Sequence, residues 1–367
     1  MANSLLTLLV LMLALGGSVF LHEFGHFLAA RWMKIEVEEF GFGFPPKALT
    51  LFNWQGTEFT LNWIPLGGFV RPKGENDPTV PDGLAAAPPL KRLVVLFAGP
   101  MMNLLTAVVI YAILVGQQGL PVAGVVNILE VLSDSPAQQS GFQIDDRLLS
   151  VNGAEITSIE QARATIHTAV DTPITFIVDR GGQQVTLIAT PLSSREAPLG
   201  VSLGAPLRPA NPLEALSAGV QETYYQAINT ALIPVSLISQ KISPAQARPI
   251  GLIGMFNLFG QAIQRDSETR QPTASAPAGA ATPQPTNWVL SIVAMLAVSL
   301  GVFNLYPIPA LDGGRILFAL PEIILRRRIP YKMENVINGV AFLMLIGLML
   351  VINSWDVIDP AKIVLPK

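Results

Sequence analysis

Two histidines and a glutamate stand together in the stretch LHEFGHF, residues 21–27. His22 and His26 are four residues apart, so on a helix both imidazoles project from one face, and Gly25 keeps that face narrow. Glu23 follows the first histidine directly, which completes the pattern HExxH. In this pattern the imidazole nitrogens bind Zn²⁺ and the glutamate acts as general base toward a water molecule. The sequence therefore indicates a zinc-dependent hydrolytic site.

The three residues come at the end of an uncharged apolar run, NSLLTLLVLMLALGGSVF. Ionisable side chains at membrane depth cost roughly a few kcal/mol unless partners satisfy them, so they usually have a function. A chance HExxH is therefore rarer here than in a soluble chain. Two alternatives remain open. The histidines would serve a proton relay or ion pathway in a transporter, or the site would belong to a water-facing zinc protease that sits on the membrane.

A zinc hydrolase needs a third protein ligand and one open coordination position. The chain has no cysteine, and its other histidine, His167, falls in a predicted helix of an external domain, where we expect a surface residue. Among the acids Asp312 stands out, in NLYPIPALDGGR, because it ends a long uncharged run. Two prolines break the helix there, and Gly313 and Gly314 would let the backbone pass close to a metal. Asp312 would alternatively cap the helix that begins RILFAL, which is compatible with ligation.

Composition places the chain in a membrane. Of 367 residues, 50% are hydrophobic and 13% are charged, whereas soluble domains carry about 25% charged residues. The net charge of −3 and the lack of a basic stripe give no indication of a nucleic-acid partner. Four stretches are long and apolar enough to cross a bilayer. They cover residues 4–30, 93–116, 287–309 and 334–356.

Lysine and arginine residues predict the orientation of these spans. They are concentrated between the first and second spans and between the third and fourth, and none precedes the first span. Both basic loops therefore face the cytoplasm, which places the HExxH motif and Asp312 on the same side, where they can meet. A bacterial inner membrane is the simplest location, and a plastid membrane would suit the same chain.

The connection at residues 117–286 must then lie outside, and its first part reads as a small α+β domain. We predict strands in VVNILEVL and RLLSVNGAEI, short helices in SPAQQSGFQIDD and SIEQARATIH, and a hairpin in PITFIVDRGGQQVTLIAT. This order resembles a bacterial-type PDZ domain over residues 122–205, which binds chain ends or extended peptides by adding a strand to its sheet. A rigid β spacer that binds nothing is the alternative.

Two further segments complete the outer connection. We interpret residues 206–268 as amphipathic helices lying on the outer membrane face, although two additional spans would fit the same topology. The stretch TRQPTASAPAGAATPQPT, residues 269–286, has no apolar pattern and reads as a flexible linker.

The cytoplasmic loop after the first span alternates apolar with small or polar residues, as β-hairpins do. It runs FGFGFPPKALTLFNWQGTEFTLNWIPLGGFV, residues 40–70. A helical peptide bond must be unwound before water can attack it, and a strand edge beside the active site would pair with the unwound substrate. The alternative is a β patch on the membrane surface that makes no contact with substrate.

The motifs HEFGH and NLYPIPALDGG together resemble the site-2 protease family of intramembrane zinc metalloproteases. The inserted PDZ-like domain resembles the bacterial branch that clears anti-sigma factors, the regulator of sigma-E protease type. The resemblance covers nearly the whole chain. It implies that His22, His26 and Asp312 bind zinc and that Glu23 is the catalytic acid and base.

Other pieces of the chain are also similar to that family. They are FGFGF with Gly41 and Gly43, FAGPMMN with Asn103, and Asn304. We expect these four residues to contact substrate, Asn304 by clamping its backbone. For Asn103 plain helix packing is an equal alternative. The chain departs from the pattern in having one PDZ-like domain rather than two and a low-complexity linker, which affects gating and substrate choice.

The sequence therefore predicts a polytopic α-helical membrane protein with a membrane-associated β-hairpin and an inserted extracytoplasmic PDZ-like domain. Its substrate would be a single-span membrane protein already trimmed by another protease, with the external domain as a size filter. A membrane-anchored PDZ scaffold with a relic site is a third alternative, which the complete set of catalytic residues disfavours. The predicted domains cover residues 1–118, 122–205, 206–268, 269–286 and 287–367.

Overall fold

The computed structural model describes residues 2–195, 197–244, 247–269 and 287–359. The chain divides into two compact units. The first, called here the discontinuous unit, comprises Met1–Gln117 and Pro212–Lys367, and the second, the inserted unit, comprises Gln118–Asn211.

The discontinuous unit holds eight of the described helices and one long β-hairpin. They are α1 (Ala2–Trp32), β1 (Val37–Trp54), β2 (Thr57–Pro72), α2 (Pro89–Gln118), α5 (Pro212–Ala231), α6 (Ile233–Ile238), α7 (Leu252–Thr269), α8 (Trp288–Asn304), α9 (Asp312–Leu325) and α10 (Tyr331–Ile358). The last residue of α2 falls in the inserted unit.

Among the described residues, three helices are long and apolar enough to cross a membrane, over Ser4–Trp32, Pro89–Gln118 and Tyr331–Ile358. They match the first, second and fourth predicted spans. The third is a shorter apolar helix, α8, with 17 residues. At 1.5 Å per residue it measures about 25 Å, less than the roughly 30 Å of a hydrocarbon core. It ends before Pro307 and Pro309, so the predicted count of four spans is not confirmed.

The β-hairpin predicted in the cytoplasmic loop is present and folds back on itself. Residues 39–42 of β1 pair with residues 58–61 on one side and with residues 68–71 on the other. Segment 68–72 pairs with β1 alone, so within the described chain it is an edge strand. Phe40, which is 1% exposed, packs its ring against Phe20, Phe24 and Phe27 of α1. This aromatic contact fixes the hairpin beside the helix that carries HExxH.

Two buried acids join the remaining helices to one another. Asp356 near the end of α10 accepts hydrogen bonds from the backbone N–H groups of Gly251, at 2.7 Å, and Gly254, at 3.1 Å. Asp266 in α7 accepts from the N–H groups of Trp288 and Val289 at 2.8 and 3.1 Å. The first N–H groups of a helix have no partner within the helix and favour a negative charge. These contacts attach α7 to α10 and α8 to α7.

The inserted unit contains a six-stranded sheet with strand order β8-β7-β5-β4-β9 and β6 paired to β5, two short helices, and a separate β3–β10 pair. Its elements are β3 (Leu120–Pro121), β4 (Asn127–Val131), α3 (Pro136–Gln139), β5 (Arg147–Val151), β6 (Ala154–Glu155), α4 (Ile159–Thr168), β7 (Ile174–Arg180), β8 (Gln183–Ala189), β9 (Val201–Gly204) and β10 (Leu207–Arg208).

The elements predicted for this region are confirmed, including the hairpin that turns at Gly181 and Gly182, both at positive φ. Phe176 lies at the centre of its core and is fully buried. Asp146, 1% exposed, accepts hydrogen bonds from Nε and Nη2 of Arg180 at 2.7 Å each. The identity of this unit as a PDZ domain stays a prediction, as do the predicted domain boundaries.

The two segments predicted after this unit differ in how much of them the structure describes. The segment predicted as amphipathic helices at 206–268 contains α5, α6 and most of α7. The predicted linker falls outside the described residues from position 270 onward.

Candidate metal centre

Helix α1 places His22 and His26 on one face, and the start of α9 brings Asp312 to them. The Nε2 atoms of the two histidines are 3.1 Å apart. Asp312 Oδ2 lies 3.1 Å from Nε2 of His22 and 3.4 Å from Nε2 of His26. The structure therefore brings the three predicted ligands together as a group that could hold a metal ion, among the residues it describes.

The spacing of these three atoms fits zinc. Ligand atoms about 2.0–2.1 Å from a tetrahedral Zn²⁺ are about 3.3 Å from one another. The three observed separations, 3.1, 3.1 and 3.4 Å, lie close to that value. Two imidazole nitrogens and one carboxylate oxygen are also a donor set that zinc hydrolases use, with the fourth position left open.

Helix α2 orients the histidine rings through one of its faces. The backbone carbonyl of Val95 lies 2.7 Å from His26 Nδ1. Because a carbonyl only accepts, Nδ1 carries the proton and Nε2 presents its lone pair to the metal position. Asn103, eight residues further along the same face, places its side-chain nitrogen 3.3 Å from His22 Nδ1.

Gly99 lies between Val95 and Asn103 and leaves room for both rings. A Cβ atom at this position would collide with the His26 ring and would lie 2.8 Å from Nε2 of His22. Gly25 has the equivalent role on α1, because a Cβ there would collide with the Ala98 carbonyl of α2. The expectation that Gly25 keeps the helix face narrow is thus confirmed, and the two helices approach closely because both carry glycine there.

Glu23 faces the same cavity from α1. Its Oε2 accepts a hydrogen bond of 3.1 Å from the backbone N–H of Val70, which lies on the edge strand of the hairpin. The cavity has a volume of about 280 Å³. Its lining comprises His22, Glu23, His26, Phe69, Val70, Pro72, Glu75, Leu84, Val95, Leu96, Asn304, Ala310, Leu311, Asp312 and Arg315.

A tight turn between α8 and α9 places Asp312 beside the two histidines. A Cβ on Gly313 would collide with the carbonyl oxygens of Tyr306 and Leu305, and one on Gly314 would collide with that of Ile308. The glycines thus let the turn fold onto its own backbone, and the predicted close approach of that backbone to a metal stays a prediction. The alternative of a capping role for Asp312 is not seen: it is the first residue of α9, and Leu311 is the N-cap.

The four residues expected to contact substrate fall in different places. Asn304 lines the cavity, as expected of a residue that clamps substrate. Gly41 and Gly43 are absent from the lining, and Gly41 is paired on both sides, so the free edge beside the cavity belongs to segment 68–72. The contact that the structure gives Asn103 is to His22, and its substrate role stays a prediction. His167 is exposed, as predicted.

Several residues of the site were not predicted from the sequence. The Val95 carbonyl and the Val70 N–H are backbone groups, so residue type gives no signal for them. Arg315 lies one turn after Asp312 on α9, lines the cavity and pairs with Glu75. Its position three residues after Asp312 was the available signal, because such residues share one helix face.

Comparison with known proteins gives a consistent result. The family model described as Peptidase family M50 matches residues 10–348. A protein of Clostridium perfringens is 31% identical over 95% of this chain and 98% of its own length. A protein of Campylobacter jejuni is 32% identical over 92% of this chain and 90% of its own length. Each of these relatives is named as a candidate zinc metalloprotease.

Proposed function

The chain belongs to peptidase family M50, the site-2 proteases, a family that uses zinc, and we propose from this premise that it is an intramembrane zinc endopeptidase. The observation that carries the proposal is the convergence of His22, His26 and Asp312 with Glu23 in one cavity between apolar helices. Asp312 is distant in sequence from the HExxH motif, and its carboxylate meets the two histidines at zinc-ligand spacing.

In this proposal the Nε2 atoms of His22 and His26 and a carboxylate oxygen of Asp312 would hold the ion. Zinc held there would lower the pKa of a water molecule to about 7 and would polarise the carbonyl of the scissile peptide. Glu23 accepts the proton of the attacking water and delivers it to the leaving amine. The Val70 N–H holds the Glu23 carboxylate at the cavity wall, in position for both transfers.

We propose that the substrate binds as an added strand on segment 68–72. This segment is unpaired on the side that carries the Val70 N–H, and Phe69 and Val70 line the cavity. A substrate segment paired there would be extended, which exposes the peptide bond that a helix shields. Asn304, which also lines the cavity, would hydrogen bond to the backbone of that segment.

The proposed substrates are single-span membrane proteins that another protease has already trimmed, of the kind represented by anti-sigma factors or membrane-tethered regulators. The inserted unit would exclude substrates that keep a bulky outer domain. A variant lacking residues 122–205 should then cleave an untrimmed model substrate that the full chain rejects. Continued rejection of that substrate would overturn the size-filter proposal.

We propose that the protein lies in the bacterial inner membrane with the site toward the cytoplasm and the inserted unit outside. The chain has no cysteine, so a single introduced thiol reports its own side of the membrane. Thr79 and Gln184 are both exposed. In intact cells a membrane-impermeant maleimide should label Gln184→Cys and leave Thr79→Cys unlabelled. The reverse labelling pattern would invert the proposed topology.

Zinc content provides the main test of the function. The detergent-purified protein should hold about one zinc per chain, and His22→Ala and Asp312→Ala should lose or weaken it. The wild type should also cleave a model single-span substrate. If the protein held no zinc and cleaved nothing, the proton-relay interpretation of the intramembrane histidines would replace this one.

A further inference from the structure

We propose that Asn103 is a positioning residue for His22, in which the side-chain oxygen of Asn103 accepts a hydrogen bond from the ring Nδ1–H of the histidine. The inference rests on the proposed function, because it assigns a role to a residue behind the same zinc ligands. It departs from the expectation that Asn103 binds substrate.

The geometry around His22 determines which ring nitrogen must carry the proton. Its Nε2 lies 3.1 Å from both His26 Nε2 and Asp312 Oδ2, so Nε2 is the atom that faces the metal position. A neutral imidazole that offers a lone pair at one nitrogen carries its proton at the other. Nδ1 of His22 therefore needs a hydrogen-bond acceptor, and the ring is 7% exposed, so bulk water does not supply one.

Asn103 is the residue placed to supply it. Its side-chain Nδ2 lies 3.3 Å from His22 Nδ1, and Asn103 itself is 1% exposed. Its Oδ1 is buried and lacks a hydrogen-bond partner among the described residues. The oxygen and nitrogen of an amide exchange places by a half-turn, and the hydrogen-bond network decides between them. The half-turn puts Oδ1 opposite the Nδ1 proton and gives that buried oxygen a donor.

Helix α2 also supplies a hydrogen-bond acceptor to the other histidine. The Val95 carbonyl accepts from Nδ1 of His26 at 2.7 Å. Val95, Gly99 and Asn103 follow at intervals of four residues, so they lie on one face of α2. Two of them offer an oxygen to a ring, and the third leaves space for both rings. Helix α2 thus acts as a template that fixes both ligands in the tautomer that zinc requires.

The location of Asn103 also argues against direct contact with substrate. Asn304 lines the catalytic cavity, whereas Asn103 is not among the lining residues and lies behind His22. A partner that orients a metal-bound histidine typically changes metal affinity by about 10–100-fold when it is removed. A residue that only binds substrate would change KM and leave zinc affinity as it was.

The test compares Asn103→Leu with Asn103→Asp in the full-length protein purified in detergent. Zinc affinity is measured by competition with a chromophoric chelator, and the visible absorption of the Co²⁺-loaded protein reports the ligand geometry. Leucine removes the acceptor at similar volume, whereas aspartate keeps one. Thr106→Val is the matched control, because Thr106 lies on the same helix and its hydroxyl bonds to the Met102 carbonyl, away from the histidines.

We expect Asn103→Leu to weaken zinc binding by about 10–100-fold and to alter the cobalt spectrum, with Asn103→Asp and Thr106→Val close to wild type. Wild-type zinc affinity in Asn103→Leu would overturn the proposal, and equal weakening of zinc binding in Asn103→Leu and Asn103→Asp would overturn the acceptor role. If the leucine variant aggregates, Asn103→Ala replaces it. Retention of zinc by His22→Ala and Asp312→Ala would instead refute the proposed metal site, so the two failures are distinguishable.

Discussion

The two units of this protein place their polar groups in opposite ways. In the inserted unit, strand β7 alternates buried Ile174 and Phe176 with exposed Thr175, the pattern of a domain that water surrounds. In the discontinuous unit α10 exposes large apolar side chains, such as Leu343 at 68% and Met344 at 70%. The buried polar residues of that unit include both histidines of the metal centre.

This difference shows what each unit requires from its surroundings. A water-facing unit obtains its stability from an apolar core, and its surface tolerates change. In the discontinuous unit, whose apolar surface suits lipid, the buried polar side chains have separate tasks. Asp266 and Asp356 join helices, whereas His22 and His26 belong to the candidate metal centre. Substitutions in the inserted unit should therefore change stability and leave zinc binding as it is, whereas substitutions around the metal centre should do the reverse.

The largest effect should come from Glu23→Gln. The amide keeps the shape of the side chain but cannot accept a proton, and loss of general acid–base catalysis costs about 10²–10⁴-fold in rate. Zinc content should stay at the wild-type level, because Glu23 is outside the proposed ligand set. Initial rates of cleavage of a model single-span substrate check this, with zinc content measured on the same sample. Cleavage within tenfold of wild type would show that Glu23 is not the general base.

Phe176→Ala should be the most destabilising change in the inserted unit. Phe176 is fully buried at the centre of that core, and a truncation of this kind costs about 3–5 kcal/mol of unfolding free energy. Pulse proteolysis of the full chain across a urea series would follow the unfolding of this unit. Ile188→Ala is the matched control, because Ile188 is 63% exposed on β8. Zinc content should not change in either variant. Loss of zinc in Phe176→Ala would show that zinc binding depends on the stability of the inserted unit.

Gly99→Ala should act on zinc and spare the inserted unit. The added methyl group collides with both imidazoles, so we expect zinc affinity to fall by at least about tenfold, as for other losses of ligand orientation. Gly116→Ala is the control on the same helix, since a Cβ there meets nothing within 4 Å. Chelator competition measures both. Unchanged affinity in Gly99→Ala would mean that the helices move apart without disturbing the ligands.

The smallest effect should come from Arg180→Ala. It leaves the buried Asp146 carboxylate without its charged partner, which costs about 1–3 kcal/mol, and the partial exposure of Arg180 favours the lower end. The same pulse-proteolysis series measures the loss. Substrate cleavage should remain at the wild-type level. If Arg180→Ala were instead more stable than the wild type, burial of the ion pair would cost more free energy than the pairing contributes.

Much of this organisation could be predicted from residue type and spacing. HExxH at helical spacing, Asp312 after a proline-broken run and the alternation in β7 are local patterns, and the structure contains each of them. The inserted unit was easier to predict, because its turns carry asparagine–glycine and glycine–glycine pairs that determine hairpins.

The contacts that could not be predicted join distant residues through groups that residue type does not reveal. The Val95 carbonyl at His26 and the Val70 N–H at Glu23 belong to the backbone, which every residue has. The double pairing of residues 39–42 hides Gly41 inside the sheet, although the alternating pattern alone is equally consistent with a free edge. The prolines after α8 predict where that helix breaks, but they do not reveal that Gly313 packs closely against the carbonyls of Leu305 and Tyr306.

The separation of the proposed ligands along the chain has a consequence for the synthesis of the protein. His22 and His26 are made early, whereas Asp312 follows only after the inserted unit, α5, α7 and α8. At about 5–20 residues per second, this interval is on the order of tens of seconds. A nascent chain therefore carries the first two ligands through membrane insertion without a complete metal site. In the proposed function, hydrolytic activity would therefore begin only after α9 has been made and has brought Asp312 to the two histidines.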